Sequence, residues 1–529
     1  MNGIRTRIAF LGAAAVLFAL VLTAAAGAGS RSAAAPAVKE GGTVVVGLTA
    51  GEPDALDPTL ARTFSGREVF LTFCEKLYDL NTKAQIVPQL ASALPTISKD
   101  KLTVTIPLRT GIKFNDNTPF NAEAVVKTLQ RDQTLKGSAR ASEISPIDSV
   151  TASGANKVVI HLKTPYSPLT AQFADRSGMI LSPAAIDKLG DKFATGPVCV
   201  GPFMYDSRVA GDSITVVKSP YYYNKKNVHL AKIVFKVQND AAAAAAALKA
   251  GDLQALDGTD STQLQGIKAT KSLRVIKQTG LGYQGLTLNI GNKNGLLKQY
   301  TNVGTPIAAN ADLRKAFEMA IDRKAMNKIV FGGTVLPGCT PLSPSSAWFD
   351  ASVKCTPFNV AAAKKLVASS GVANPTVHLM VPTGSVALRQ AQFLQAEEEA
   401  VGIKVVIDST DFVTSLSKAD AGTYETFQVG WSGRVDPDGD IYQFVHTTGS
   451  QNDSGYSNPR LDLILNNARK AATEKARKTL YRAAQKIMLN DRPLIYLYHP
   501  VTRASLATSL TGVSLYPDTL LRVAFAAYK

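Results

Sequence analysis

Histidine, cysteine and long apolar runs are all scarce in this sequence, and each scarcity removes a class of function. The five histidines, His161, His229, His378, His446 and His499, fall into no HxxxH or HExxH spacing. A zinc hydrolase therefore has no ligand set, and these residues read as surface or internally satisfied groups. No CxxC occurs and no histidine neighbours a cysteine, which removes the structural zinc modules too. A GxSxG elbow and a Walker loop are missing as well. Beyond residue 28 no stretch approaches ~18 uninterrupted apolar residues, so the rest of the chain reads as soluble.

Two near misses fail on context. "GLGYQG" (280–285) matches GxGxxG, but the strand-like "LTLNI" follows where a dinucleotide fold needs a helix. "GDSI" (211–214) resembles an esterase nucleophile block yet occupies the turn of a hairpin. No catalytic constellation or cofactor site assembles from the sequence, so no enzyme class is indicated.

What is present begins with a leader. Arg5 and Arg7 precede "IAFLGAAAVLFALVLTAAAGAGS", an apolar run ending in small residues, which is the order of a secretory signal peptide. Cleavage after Ala26 or Ala28 satisfies its small-residue rule; an uncleaved anchor is the second reading. No cysteine lies near this border, which argues against a lipoprotein tether, and the expected location is periplasmic or extracytoplasmic. The formal net charge of +17 falls to +15 without Arg5 and Arg7. The basic residues are scattered, so export plus dispersion argue against nucleic acid and leave an anionic membrane surface or no specific partner.

The mature length exceeds what one hydrophobic core usually serves, so two or three lobes are expected. Four cysteines in an oxidising compartment suggest two bridges. Cys339 and Cys355 flank a loop that a disulfide can close, which leaves Cys74 with Cys199.

Strand and helix signals alternate without tandem repeats. "GGTVVVGL" (41–48) and the alternating "KLTVTIPLR" (101–109) read as strands. A turn at Asn117 leads into a helix capped by Asn121, and 203–219 forms two strands joined at Gly211-Asp212. Asp240 caps the alanine run 241–247, which Gly251 ends. Further helices are expected after Asp312, after Asn359 as far as Gly371, and after Ser385 as far as Gly402, with "IKVVIDS" a strand beyond.

Several long segments together resemble the extracytoplasmic solute-binding proteins of peptide, dipeptide and nickel ABC importers, family 5. They are "IVPQLASALPTISKDKLTVTIPLRTGIKFNDNTPFNAEAVVKTLQRD" (86–132), "PVCVGPFMYDSRVAGDSITVVKSPYYYNKK" (197–226), "DLRKAFEMAIDRKAM" (312–326), "NVAAAKKLVASSG" and "GYSNPRLDLILNNAR". They run in family order over nearly all the mature chain. The resemblance implies a two-lobed α/β periplasmic-binding-protein fold, type II-like, with a subdomain inserted in the N-terminal lobe. Carried onto this chain, 1–28 is the signal peptide and 29–39 a linker. The N-terminal lobe is 40–83, 205–285 and 500–529, the insert 84–204, and the C-terminal lobe 286–499. It implies a small-molecule or short-peptide ligand, an inner-membrane permease and ATPase as partners, and a monomer without cofactor or metal.

The resemblance also implies ligand contacts at Phe64, Ser65, Tyr283, Gln284, Trp431, Gly433, Arg434 and Asp436. The loop "GWSGRVDPDGD" (430–440) carries the main departure. Peptide binders of the family place an aspartate three residues after the tryptophan to hold an α-ammonium, and here that place is Arg434. The dipeptide binders' arginine before a proline is Val381 before Pro382. An ammonium without its carboxylate costs several kcal/mol, which excludes ordinary short peptides unless Asp436 takes over. Blander readings pair Arg434 with Asp438, make Asp436 a helix cap and make Trp431 hinge packing. The alternatives to a peptide receptor are a receptor for a non-peptide anionic solute (an opine, metal chelate or sugar-type ligand), a secreted hydrolase, and a signalling or chaperone-like protein of the same fold.

Overall fold

The opening run "TVVVGL" forms the strand Thr43–Leu48. Its Val44, Val46 and Leu48 are fully buried, so one face of a half-covered strand supplies the first core. It pairs in parallel with Lys232–Val237, Val44 opposite Ile233. Around this pair a seven-stranded sheet assembles in the order Leu273–Thr279, Val501–Ala507, Ala255–Leu256, Thr43–Leu48, Lys232–Val237, Ser213–Lys218, Phe203–Val209. A six-stranded sheet follows the order Leu336–Pro337, Leu494–His499, Tyr283–Leu288, Thr426–Trp431, Thr376–Pro382, Lys404–Thr410. A third, of four strands, contains Thr103–Pro107 and Lys157–Leu162 under the helix Ala122–Thr134. It has its own buried cluster, running from Leu77 to Val200. This is a computed structural model, and it describes residues Val38–Lys529. The expected signal peptide and most of the expected linker lie outside the described residues.

Two short segments carry the chain between the large sheets. Gly280–Gly282 links Leu273–Thr279 to Tyr283–Leu288, and Pro500 links Leu494–His499 to Val501–Ala507. They are held side by side: Gly280 N–H donates to Pro500 O at 3.0 Å, and a ring nitrogen of His499 lies 2.8 Å from Gly282 O. The chain thus leaves the first sheet at Thr279, a few residues before the expected boundary at 285, because the strand begun at Tyr283 already pairs with Trp431 of the second sheet.

Local signals behaved as their chemistry requires. Asn121 accepts from Ala124 N–H at 3.1 Å and Asp240 from Ala243 N–H at 2.8 Å, each satisfying an orphan helix donor. Gly211 sits at φ +73° in the hairpin turn. The helix expected after Asp312 instead starts at Ala311, capped by Asn310, whose side chain accepts from Leu313 N–H at 3.0 Å. Asp312 lies in its first turn, where a carboxylate favours the exposed N–H dipoles. The helix expected to follow Ser385 includes that residue and ends at Glu399, short of Gly402. Both disulfides are formed: Cys74–Cys199 with Cα atoms 4.8 Å apart, and Cys339–Cys355 at 5.5 Å. No helix among the described residues is long and apolar enough to cross a membrane.

Candidate functional site

The loop after Trp431 is fixed by its three aspartates, each with a different partner. Asp436 receives two N–H groups of Arg477, both at 2.7 Å, and accepts from Asp438 N–H at 3.0 Å. Asp438 receives Arg469 at 2.7 and 2.9 Å, together with Tyr166 and Gln172 at 3.3 Å each. Asp440 accepts from Trp431 Nε1 at 3.1 Å and from the backbone N–H of Arg434 at 2.7 Å. Asp436 therefore spends its oxygens on Arg477 and the helix start, and is not available to replace a missing ammonium anchor. The helix Asp438–Val445 has Pro437 at its N-cap with no side-chain capping bond, so Asp436 ties the loop to Arg477 instead of capping the helix.

So anchored, the loop buries Arg434 rather than leaving it at a rim; the residue is 7 % exposed. Its guanidinium stacks 4.1 Å from the Trp431 ring, donates to Gly433 O at 2.8 Å and lies 3.1 Å from Asp175, not against Asp438. Asp175 also pairs with Arg67 on the helix Phe64–Phe73, and Arg67 donates to Ser432 Oγ at 2.7 Å. Arg434 is thus joined to residues that come from before the first crossing.

Two more buried arginines complete the group. Arg140 and Arg176 are wholly buried, and both donate to Ala61 O, at 3.2 and 2.7 Å. Arg140 also pairs with Glu143 at 2.6 Å. Four guanidiniums, Arg67, Arg140, Arg176 and Arg434, therefore share two close carboxylates, Asp175 and Glu143. The imbalance registers in proton affinity. Burial, then repulsion from Arg67, pushes Arg434 down to about 10 against the pull of Asp175. Burial and the Arg140 charge push Arg176 well below its usual range. Burial raises Asp175, but Arg434, Arg67 and Arg176 outweigh it and hold that carboxyl well below 3.8. Arg176 Nε and Nη2, Arg140 Nε and Arg434 Nη2 have no hydrogen-bond partner.

Beside this group lies a cavity of about 50 Å³, lined by Arg62, Tyr283, Phe412, Trp431, Phe444, Gln451 and Asp453 among others. Arg62 reaches from the segment before the helix Phe64–Phe73 to Asp420, and to Asp453 at 3.4 Å. Burial outweighs that contact and raises Asp453 to about 7. Of the expected contacts, Tyr283 and Trp431 line the cavity and Arg434 stacks on Trp431, while Gly433 holds φ +83° against the crossing. Gln284 packs across Gly430, where a Cβ would meet its amide at 2.3 Å. Ser65 is buried with its hydroxyl unpartnered, and Phe64 is half-buried beside it. Arg62, Arg67, Arg140, Asp175, Arg176 and Asp453 were not singled out from the sequence. Among the described residues no cluster of three metal-ligating side chains occurs.

The profile of the family described as "Bacterial extracellular solute-binding proteins, family 5 Middle" matches residues 85–452. The glutathione-binding protein GsiB of Pectobacterium atrosepticum is 28% identical over 482 residues, covering 88% of this chain and 90% of its own. The structure of the oligopeptide-binding protein AppA from Bacillus subtilis with a nonapeptide superposes with a TM-score of 0.84. It is 20% identical and covers 93% of this chain and 100% of its own. The Escherichia coli murein tripeptide binding protein MppA gives a TM-score of 0.83 at 22% identity, covering 93% and 99%.

Proposed function

The chain belongs to the bacterial extracellular solute-binding proteins of family 5, and on that premise we propose that it is the substrate receptor of an ABC importer for small peptide-like solutes bearing a carboxylate. The buried guanidinium group carries the reading. Four arginines around two carboxylates leave a net positive charge and unused N–H donors in a site sealed from water. An uncompensated buried charge costs several kcal/mol. A carboxylate-bearing solute would offset that cost, with bidentate bonds suited to guanidinium.

The two sheets with their helices act as lobes, 84–204 as the insert, and Gly280–Gly282 with Pro500 as the hinge. Closing the lobes brings Arg434 and Ser432 of one against Arg67 and Asp175 of the other, so closure itself builds the site. Tyr283 and Trp431 line the cavity beside it, and Phe64, Ser65, Gln284 and Gly433 are the further contacts proposed for the solute. The protein is exported by its leader, acts as a monomer, hands its solute to a membrane permease driven by an ATPase, and performs no chemistry on it. GsiB, named for glutathione, and MppA, named for a murein tripeptide, make peptide-derived acids the first solutes to try.

Native mass spectrometry of freshly purified protein tests this. The expected spectrum shows a small acidic adduct that survives gentle desolvation and is absent from protein unfolded and refolded in clean buffer. Turnover of the adduct by the pure protein, or an adduct without an acidic group, would contradict the reading.

A further inference from the structure

Asp453 is a buried carboxyl group with one oxygen left without a hydrogen-bond partner. It is 8 % exposed, and its Oδ1 has neither a hydrogen-bond partner nor contact with solvent. Its Oδ2 meets Arg62 only at 3.4 Å, while the same arginine pairs more closely with Asp420. Arg62 likewise retains a buried Nε with no partner. Both side chains line the one cavity whose remaining walls include the rings of Tyr283, Trp431 and Phe444. Buried acceptors and donors in proteins are almost always satisfied. Here the two residues that carry an orphan acceptor and an orphan donor line, with three aromatic residues, one space of about 50 Å³.

That space suits a small polar head and not a whole peptide, since binding pockets for complete drug-sized ligands run to several hundred Å³. A carboxylate flanked by aromatic faces is the environment that favours an ammonium group, through the ion pair and the negative ring faces together. A guanidinium N–H beside it favours a carboxylate. An α-amino acid head carries both groups on one carbon.

We propose that Arg62 and Asp453 form a head-group subsite for a free α-amino acid zwitterion, Asp453 Oδ1 accepting from the ammonium and Arg62 Nε donating to the carboxylate. The inference rests on the receptor reading above and narrows it. The solute has a free α-amino acid end in this cavity and a second acidic group at the Arg434 cluster. Placing the ammonium acceptor at Asp453 also fits the loop, where residue 434 is an arginine and Asp436 is committed to Arg477.

The test is calorimetric titration with glutathione, γ-glutamyl dipeptides and α-glutamyl dipeptides, each beside its N-acetyl form, which removes the ammonium charge. With the wild-type protein, acetylation is expected to weaken binding of the free-amine probe at least tenfold, about 1.4 kcal/mol. With Asp453→Asn, nearly isosteric and uncharged, the free amine should lose the same factor and acetylation should cost little more. Equal binding of free and acetylated probes by the wild type, undiminished binding of free amines by Asp453→Asn, or failure of every free-amine probe to bind would each overturn the subsite. The comparison within the wild type does not depend on the variant folding. The receptor reading fails separately: it survives loss of the subsite if acetylated or dicarboxylate probes bind and Arg434→Gln abolishes that binding.

Discussion

The backbone of Gly282 lies directly against that of Gly433. A Cβ on Gly282 would sit 2.0 Å from the Trp431 carbonyl oxygen, and one on Gly433 would sit 2.4 Å from Gly282 N. The segment that carries the chain between the two sheets is therefore packed, backbone to backbone, on the loop that presents Arg434. Any hinge motion at Gly280–Gly282 moves along that contact.

Gly282→Ala and Gly433→Ala should each disturb both stability and binding. Forcing a methyl into a closed backbone contact costs ~1 to 3 kcal/mol, and Gly433 adds the penalty of a side chain at φ +83°. Urea unfolding should show the loss, and the affinity for the natural solute should fall in parallel. A neutral Gly282→Ala would show that the crossing and the loop separate freely.

Each disulfide should contribute ~2 to 4 kcal/mol. Cys74–Cys199 joins the end of the helix Phe64–Phe73 to the stretch entering Phe203–Val209, so its loss should loosen the Arg67 side of the site. Loss of Cys339–Cys355, which closes a 16-residue separation, should leave solute affinity nearly unchanged. Non-reducing peptide mapping followed by titration of each Cys→Ser pair separates the two effects.

Stability should peak at mildly acidic pH. Burial raises Glu75 to about 7 against the hydroxyls of Tyr222 and Tyr223, and raises Asp132 to about 8 against Thr59. Both keep a proton in the folded protein that the unfolded chain has released above its ordinary value, so stability is full below that value and drains away as pH rises to about 7 to 8. Asp175 acts in the opposite sense: held well below 3.8, it supports the fold above that pH and fails as acid protonates it. Denaturation series should give a loss of ~1 to 3 kcal/mol between mildly acidic and mildly alkaline conditions, partly removed by Asp132→Asn. A flat or rising profile would contradict the burial of these carboxyls as protonated acids.

Arg434→Gln should separate binding from folding. One positive charge fewer among Arg67, Arg140 and Arg176 relieves repulsion and loses a stacking contact with Trp431, effects that oppose each other to within ~1 kcal/mol. The solute-free melting temperature should hardly move while affinity falls. A large drop in melting temperature would make the residue a structural pin.

What the sequence made legible was local. Asn121, Asp240 and Asn359 each cap the helix that follows them, because a short polar side chain and the orphan donors it satisfies lie within three residues. The Gly211-Asp212 hairpin, the Cys339–Cys355 bridge across 16 residues and the unusual 430–440 loop were readable for the same reason, whereas Cys74–Cys199, 125 residues apart, followed from the even cysteine count alone. The site itself was not. Arg67 and Asp175 are 108 residues apart, Arg62 and Asp420 are 358 apart, and nothing in the neighbourhood of any one of them signals that three-dimensional packing will strip water from the group. Asp436 shows the reverse failure: it stands in a conspicuous loop, yet its role is to hold that loop on Arg477. Asp453 had a faint signal, since it stands two residues before the "GYSNPR" segment used for the family resemblance.

The central claim is that a carboxylate of the solute is held by the guanidinium group assembled when the lobes close. Calorimetric titration of wild type and Arg434→Ala with the acidic adduct identified by native mass spectrometry tests it most directly. A desolvated charge-assisted pair predicts a loss of ~2 to 5 kcal/mol in Arg434→Ala, with Arg434→Asp losing still more and gaining relative preference for solutes bearing an ammonium at that place. Unchanged affinity in Arg434→Ala would put the solute elsewhere and contradict the account.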